Sequence, residues 1–108
     1  MTLELLYLPG CPNHGIAASL IRSVLQAEGL SVELDEIAVI DYEQAQAVGF
    51  SGSPTLLVNG RDVEAGFSSQ SGFACRTYVV DGKPLGVPPR SWIERAIRSA
   101  TKQEVNQP

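Results

Sequence analysis

The sequence predicts an α/β domain: a mixed central sheet of about four strands between helical layers, in the order β-α-β-α-β-β-α. Three observations predict it. Leu3–Leu8 (LELLYL) is a short apolar run stopped by Pro9-Gly10, as in a strand buried on both faces. Ile16, Ala17, Leu20, Ile21, Val24 and Leu25 then recur at helical spacing, over a length that suits a right-handed parallel crossover. Further on, Thr55–Val58 (TLLV) runs into Asn59-Gly60, a strong two-residue hairpin signal, so the chain returns antiparallel from Arg61.

The remaining elements follow in order. Pro12 suits the first position of the first helix, where its missing N–H costs nothing, and Gly29 supplies the stop. Val32 and Leu34 alternate with Glu33 and Asp35 as a half-buried strand, and the alternation slips at Glu36-Ile37, where the strand ends or bulges. Asp41 and Gln44 have capping-box spacing for a short helix through about Val48. Gly49–Ser53 reads as a turn and Pro54 opens the TLLV strand. Gly66–Gly72 (GFSSQSG) reads as a flexible loop, Cys75–Val80 (CRTYVV) as a strand, and Asp81-Gly82 as a second turn. Pro88-Pro89 leads into a last helix with Trp92 or Ile93, Ala96, Ile97 and Ala100 on its inner face. Residues 1–101 thus form one domain, and 102–108 a polar tail that frays.

A chain of 108 residues suits one hydrophobic core. Its net charge of −4, with no run of Lys or Arg, argues against nucleic acid or a membrane surface as partner. No apolar stretch approaches the roughly 20 residues that span a bilayer. Met1–Pro9 lacks a positive n-region and is interrupted by Glu4, so it does not read as a signal peptide, and the reducing cytoplasm is the expected compartment. Two cysteines, Cys11 and Cys75, are too few for a disulfide scaffold. No Gly-rich phosphate motif follows either early strand, so no cofactor is expected, and a monomer is the expected state.

Cys11-Pro12-Asn13-His14 lies between a strand and a helix, and Ser53-Pro54-Thr55 follows a turn and opens a later strand. Together these resemble the thioredoxin superfamily, over residues 2 to 66 and loosely over the last helix. The resemblance implies a three-layer thioredoxin-like fold, a redox site at Cys11, and a cis Pro54 beside the reactive sulfur. It also implies that Pro12, Ser53, Pro54 and Thr55 flank the substrate. Gly10–Asn13, Gly52–Gly60 and Cys75–Tyr78 together look like a group of small bacterial thioredoxin-like proteins, some of whose relatives are associated with alkylmercury lyase domains. That likeness implies a leaning toward soft-metal chemistry and assigns no residue.

The residues can also be read on their own chemistry. A cysteine at a helix N-terminus faces unpaired N–H groups and the positive end of the dipole, which favour the thiolate, the nucleophilic and soft-metal-binding form. His14 departs from the Cys-x-x-Cys pattern. It is a thiolate partner, a general base, a second metal ligand or a solvated surface residue. Cys75 is either the resolving thiol or an inert small hydrophobe. It approaches Cys11 if Arg61–Ala65 is the returning hairpin strand, and starts at the far end if Cys75–Val80 pairs with Thr55–Val58. Pro54 in cis leaves the preceding carbonyl and the Thr55 N–H to hold a substrate strand. Tyr7 is a core aromatic or a hydroxyl near the sulfur, Trp92 is core, and Arg61, Asp62 and Arg76 are solvated charges.

Three functional readings follow. One is thiol-disulfide exchange through Cys11 on a protein or glutathione substrate, in a monothiol mechanism resolved by Cys75 or by external glutathione. The second is soft-metal binding, of mercury or copper, by Cys11 with His14 or Cys75. Structural zinc is not expected, because a closed site needs four ligands. The third is a non-catalytic binding domain.

Overall fold

A computed structural model describes residues 1–64 and 72–105. The chain runs β1 (Leu3–Tyr7), α1 (His14–Ala27), β2 (Leu34–Ala38), α2 (Tyr42–Val48), β3 (Ser51–Ser53) and β4 (Thr55–Val58). It continues with β5 (Arg61–Asp62), β6 (Gly72–Cys75), β7 (Tyr78–Val80), β8 (Lys83–Leu85) and α3 (Arg90–Val105). A mixed four-stranded sheet has the order β2-β1-β4-β5, with β1 parallel to β2 and antiparallel to β4. Two separate two-stranded sheets accompany it: β3 pairs parallel with β6, and β7 pairs antiparallel with β8.

Alternation along the strands divides the apolar residues between two cores. Leu3, Leu5, Leu56 and Val58 pack with Ala17, Ile21 and Val24 of α1 and Ile93 and Ile97 of α3. Leu6 points the other way and packs with Val39, Ala45 of α2 and Phe50. No helix among the described residues is long and apolar enough to cross a membrane.

Local signals hold where the sequence places them. Asn59 (φ 51°) and Gly60 (φ 78°) both adopt positive φ between β4 and β5, and Asp81 and Gly82 repeat the geometry between β7 and β8. Asp41 caps α2 by accepting the Gln44 N–H at 2.7 Å, and Gln44 returns a bond from the Ile40 N–H at 3.0 Å. Helix α1 closes with Leu30 N–H donating to Leu25 C=O and Gly29 N–H to Gln26 C=O, the paired bonds of a Schellman end.

Several elements differ from expectation. Strand β2 begins at Leu34 and runs without a bulge through Glu36-Ile37, because its register is set by pairing with β1; as an edge strand it leaves Asp35 and Glu36 exposed. Ile16 is 58% exposed and not on the buried face of α1, which Ala17, Ala18, Ile21, Val24 and Leu25 form. Pro12 precedes the helix, which starts at His14. The expected turn at Gly49–Ser53 contains β3, and the expected strand Cys75–Val80 is divided at Arg76-Thr77 between β6 and β7. Helix α3 continues to Val105, past the polar boundary at Thr101, whose hydroxyl donates to the Ile97 carbonyl. Of the expected loop Gly66–Gly72, only Gly72 lies within the described residues, and it begins β6.

Candidate functional site

Strand β1 delivers the chain to Cys11 through a tight turn. The Cys11 N–H donates to the Leu8 carbonyl at 3.0 Å, and the Cys11 carbonyl accepts the His14 N–H at 3.2 Å. Cys11 therefore sits in a turn just ahead of α1. It is a free, half-buried cysteine, and among the described residues its thiol has no hydrogen-bond partner. Asn13 packs onto the backbone of Gly86, in the segment leading to α3, where an added Cβ would lie 2.8 Å from Asn13 Cγ. A residue with a side chain at position 86 would thus push on the turn that carries Cys11.

His14 has partners of its own. Its Nε2 lies 2.7 Å from Glu36 Oε1, and its ring stacks on Tyr7 with centroids 3.5 Å apart. Arg22 donates to the other Glu36 oxygen at 2.8 Å. Its hydrogen bond, with a further one from His14, holds the Glu36 carboxyl below its ordinary pKa against a smaller opposing effect of burial. His14 is thus an oriented imidazole between a strand residue and an aromatic ring, not a freely solvated side chain. Tyr7 is half-buried and outside both cores, and its ring is stacked on that imidazole.

The second wall of the site is Gly52–Thr55. The Ser53–Pro54 peptide bond is cis. Ser53 Oγ accepts the Leu8 N–H at 2.9 Å, which ties this segment to the turn entering Cys11. Gly52 (φ 111°) has Arg76 Cβ only 2.8 Å from where its own Cβ would be, so no other residue allows the chain at the end of β6 to approach so closely. The Ser53 carbonyl accepts the Arg76 N–H at 2.9 Å. That carbonyl, expected to await a substrate strand, is already engaged by the chain itself, because β6 lies along β3.

Arg76 is the residue that sequence reasoning misjudged most. Its side chain is 3% exposed, not solvated. Both terminal nitrogens bind the Asp62 carboxylate, at 2.7 and 2.9 Å, and they also reach Thr55 Oγ1 and Glu64. The guanidinium lies over the Tyr78 ring at 4.4 Å, and the Tyr78 hydroxyl donates to the Pro54 carbonyl. Burial is the largest single influence on Arg76 and opposes its charge, but the hydrogen bonds and charge of Asp62, with Tyr78 and Glu64, together outweigh it and raise its pKa. Burial also raises that of Tyr78. The available signal was an arginine next to a strand-like run, with two carboxylates across a hairpin; only the fold makes them neighbours.

Cys75 stands opposite Ser53 in the β3–β6 pairing and is exposed. The β4–β5 pairing sends the chain back from Arg61, and β6 joins β3, so Cys75 does not start at the far end of a strand paired with Thr55–Val58. Ser53 is the common node: its hydroxyl meets Leu8, whose carbonyl holds the Cys11 N–H, and its backbone pairs with the strand carrying Cys75. Among the described residues no group of three or more His, Cys, Asp or Glu is arranged to hold a metal ion. Comparison with known proteins finds no matching family, no matching curated protein and no matching solved structure.

Proposed function

We propose that the chain is a thioredoxin-like protein that exchanges disulfides through Cys11, with Cys75 as the resolving thiol. The observation that carries this reading is the double attachment of Ser53, to the turn holding Cys11 and to the strand holding Cys75. The cis Ser53–Pro54 bond, the parallel β1–β2 pair joined through α1 and the antiparallel β4–β5 hairpin accord with the three-layer fold that the resemblance implies. Strand β6 occupies the edge where that resemblance puts a substrate strand, and Cys75 stands on it.

The chemistry balances with thiols alone. The Cys11 thiolate attacks one sulfur of a substrate disulfide, the S–S bond breaks, and the departing sulfur takes a proton from water. A mixed disulfide remains. Cys75, as thiolate, attacks Cys11 Sγ, a Cys11–Cys75 disulfide forms, and the second substrate thiol leaves. The substrate gains two electrons from the two cysteines, and an external thiol such as glutathione restores them. His14, held by Glu36 and Tyr7, supplies an oriented imidazole at the end of the motif where a second cysteine would stand.

The test is intact mass after reaction with oxidised glutathione, for the wild-type chain and Cys75→Ser. A glutathione adduct that decays to an internal disulfide in the wild type and persists in Cys75→Ser is the expected result. Persistence in both assigns resolution to external thiol, and absence of any adduct removes the redox reading.

A further inference from the structure

A second candidate site lies away from both cysteines, between the β4–β5 hairpin and α3. It is a cavity of about 330 Å³, at the small end of the range of roughly 300–1,000 Å³ common for small-molecule sites. Trp92, Val63 and Ala96 supply its apolar lining, and Arg61 and Arg95 face it from the hairpin and the helix.

The charge at this cavity is distinctive. Arg22, Arg76, Arg90 and Arg98 each pair with a carboxylate. Arg61 and Arg95 have no such partner among the described residues, and both line this one cavity. Asp62 also lines it, but both of its oxygens are already taken as hydrogen-bond acceptors by Arg76. The result is a positive, partly apolar recess on a chain of net charge −4.

We propose that this cavity binds a small carboxylate with an apolar body. The head group lies between the Arg61 and Arg95 guanidiniums, whose planar donor forks match a carboxylate, and the hydrocarbon lies against Trp92 and Val63. The volume limits the ligand to about the size of a medium-chain or single-ring acid.

Trp92 is the chain's sole tryptophan, so its emission reports on this cavity directly. The full chain is titrated with octanoate below its micellar range, with octan-1-ol as the neutral counterpart and inorganic phosphate as the anion without a tail. The expected result is a saturable change with octanoate. Binding should be at least about tenfold weaker for octanol and for the Arg61→Gln/Arg95→Gln variant, the loss corresponding to one charge-assisted hydrogen bond. Both arginines are exposed, and a circular-dichroism melt verifies that the variant folds. Octanol binding as tightly as octanoate, phosphate displacing octanoate at equal concentration, or no saturable change up to about 10 mM would each overturn the proposal. The readout does not involve Cys11, so it stands or falls separately from the thiol chemistry.

Discussion

On one side of the candidate site, Cys11-Pro12-Asn13-His14 is held by backbone hydrogen bonds and by half-exposed partners of His14. On the other, Gly52–Thr55 is fastened by the nearly inaccessible Arg76, the buried Tyr78 and a strand laid along it. A charge-bearing network removed from water fixes atoms strongly, because breaking one bond strands its partner without solvation. A half-exposed pair is cheap to break, because water replaces the lost partner. Gly52–Thr55 is therefore expected to be the more firmly held side, and the Cys11 turn the more easily shifted one.

The largest test of this contrast is Arg76→Met. It strands Asp62, only 12% exposed, and removes the donor to Thr55, so a loss of about 3–5 kcal/mol is expected in urea denaturation. Adding Asp62→Leu should recover much of it, since the penalty lies chiefly in the unpaired carboxylate. A loss below about 1 kcal/mol for Arg76→Met would remove the distinction between the two sides.

Tyr78→Phe deletes one hydroxyl and keeps the ring beneath the Arg76 guanidinium. A loss of about 1–2 kcal/mol is expected from leaving the buried Pro54 carbonyl without its donor. Cys11 alkylation by iodoacetamide should be unchanged, because that reagent does not use the Pro54 wall. A parallel fall in alkylation would mean that the two walls move as one.

The smallest effect belongs to Glu36→Gln, expected to cost less than about 1 kcal/mol at neutral pH. Its pH dependence is the sharper readout. The Glu36 carboxyl is held below its ordinary value of 4.5, by Arg22 first and then His14, and Arg98 lowers Glu28 likewise. Groups lowered in the folded state stabilise it fully above the ordinary value and lose that contribution as pH falls through the folded one. The wild-type melting temperature should thus decline below about pH 4.5, and less steeply in Glu36→Gln. Identical profiles would show that the His14–Glu36–Arg22 chain does not act in solution.

The parts of the fold that could be read in advance are those built from neighbours in sequence. Asn59-Gly60 and Asp81-Gly82 turn the chain whatever surrounds them, and Asp41 reaches a backbone N–H three residues away. Cys11 and Ser53-Pro54-Thr55 could be picked out as a site because their spacing matched a known pattern. Two of the misreadings required distant segments: β2 runs through Glu36 because β1 sets its register, and Arg76 is buried because Asp62, Thr55 and Tyr78 converge on it. His14 finds Glu36 across 22 residues of chain.

By itself, then, the sequence determined where the helices and the tight hairpins lie, since caps, turns and apolar periodicity act over a few residues. Only the tertiary structure decided that Ser53 joins the Cys11 turn to the Cys75 strand, and that Arg76 stands behind that join. Hydrogen bonds between strands far apart in sequence, and charges that survive burial only when matched, have no local signature.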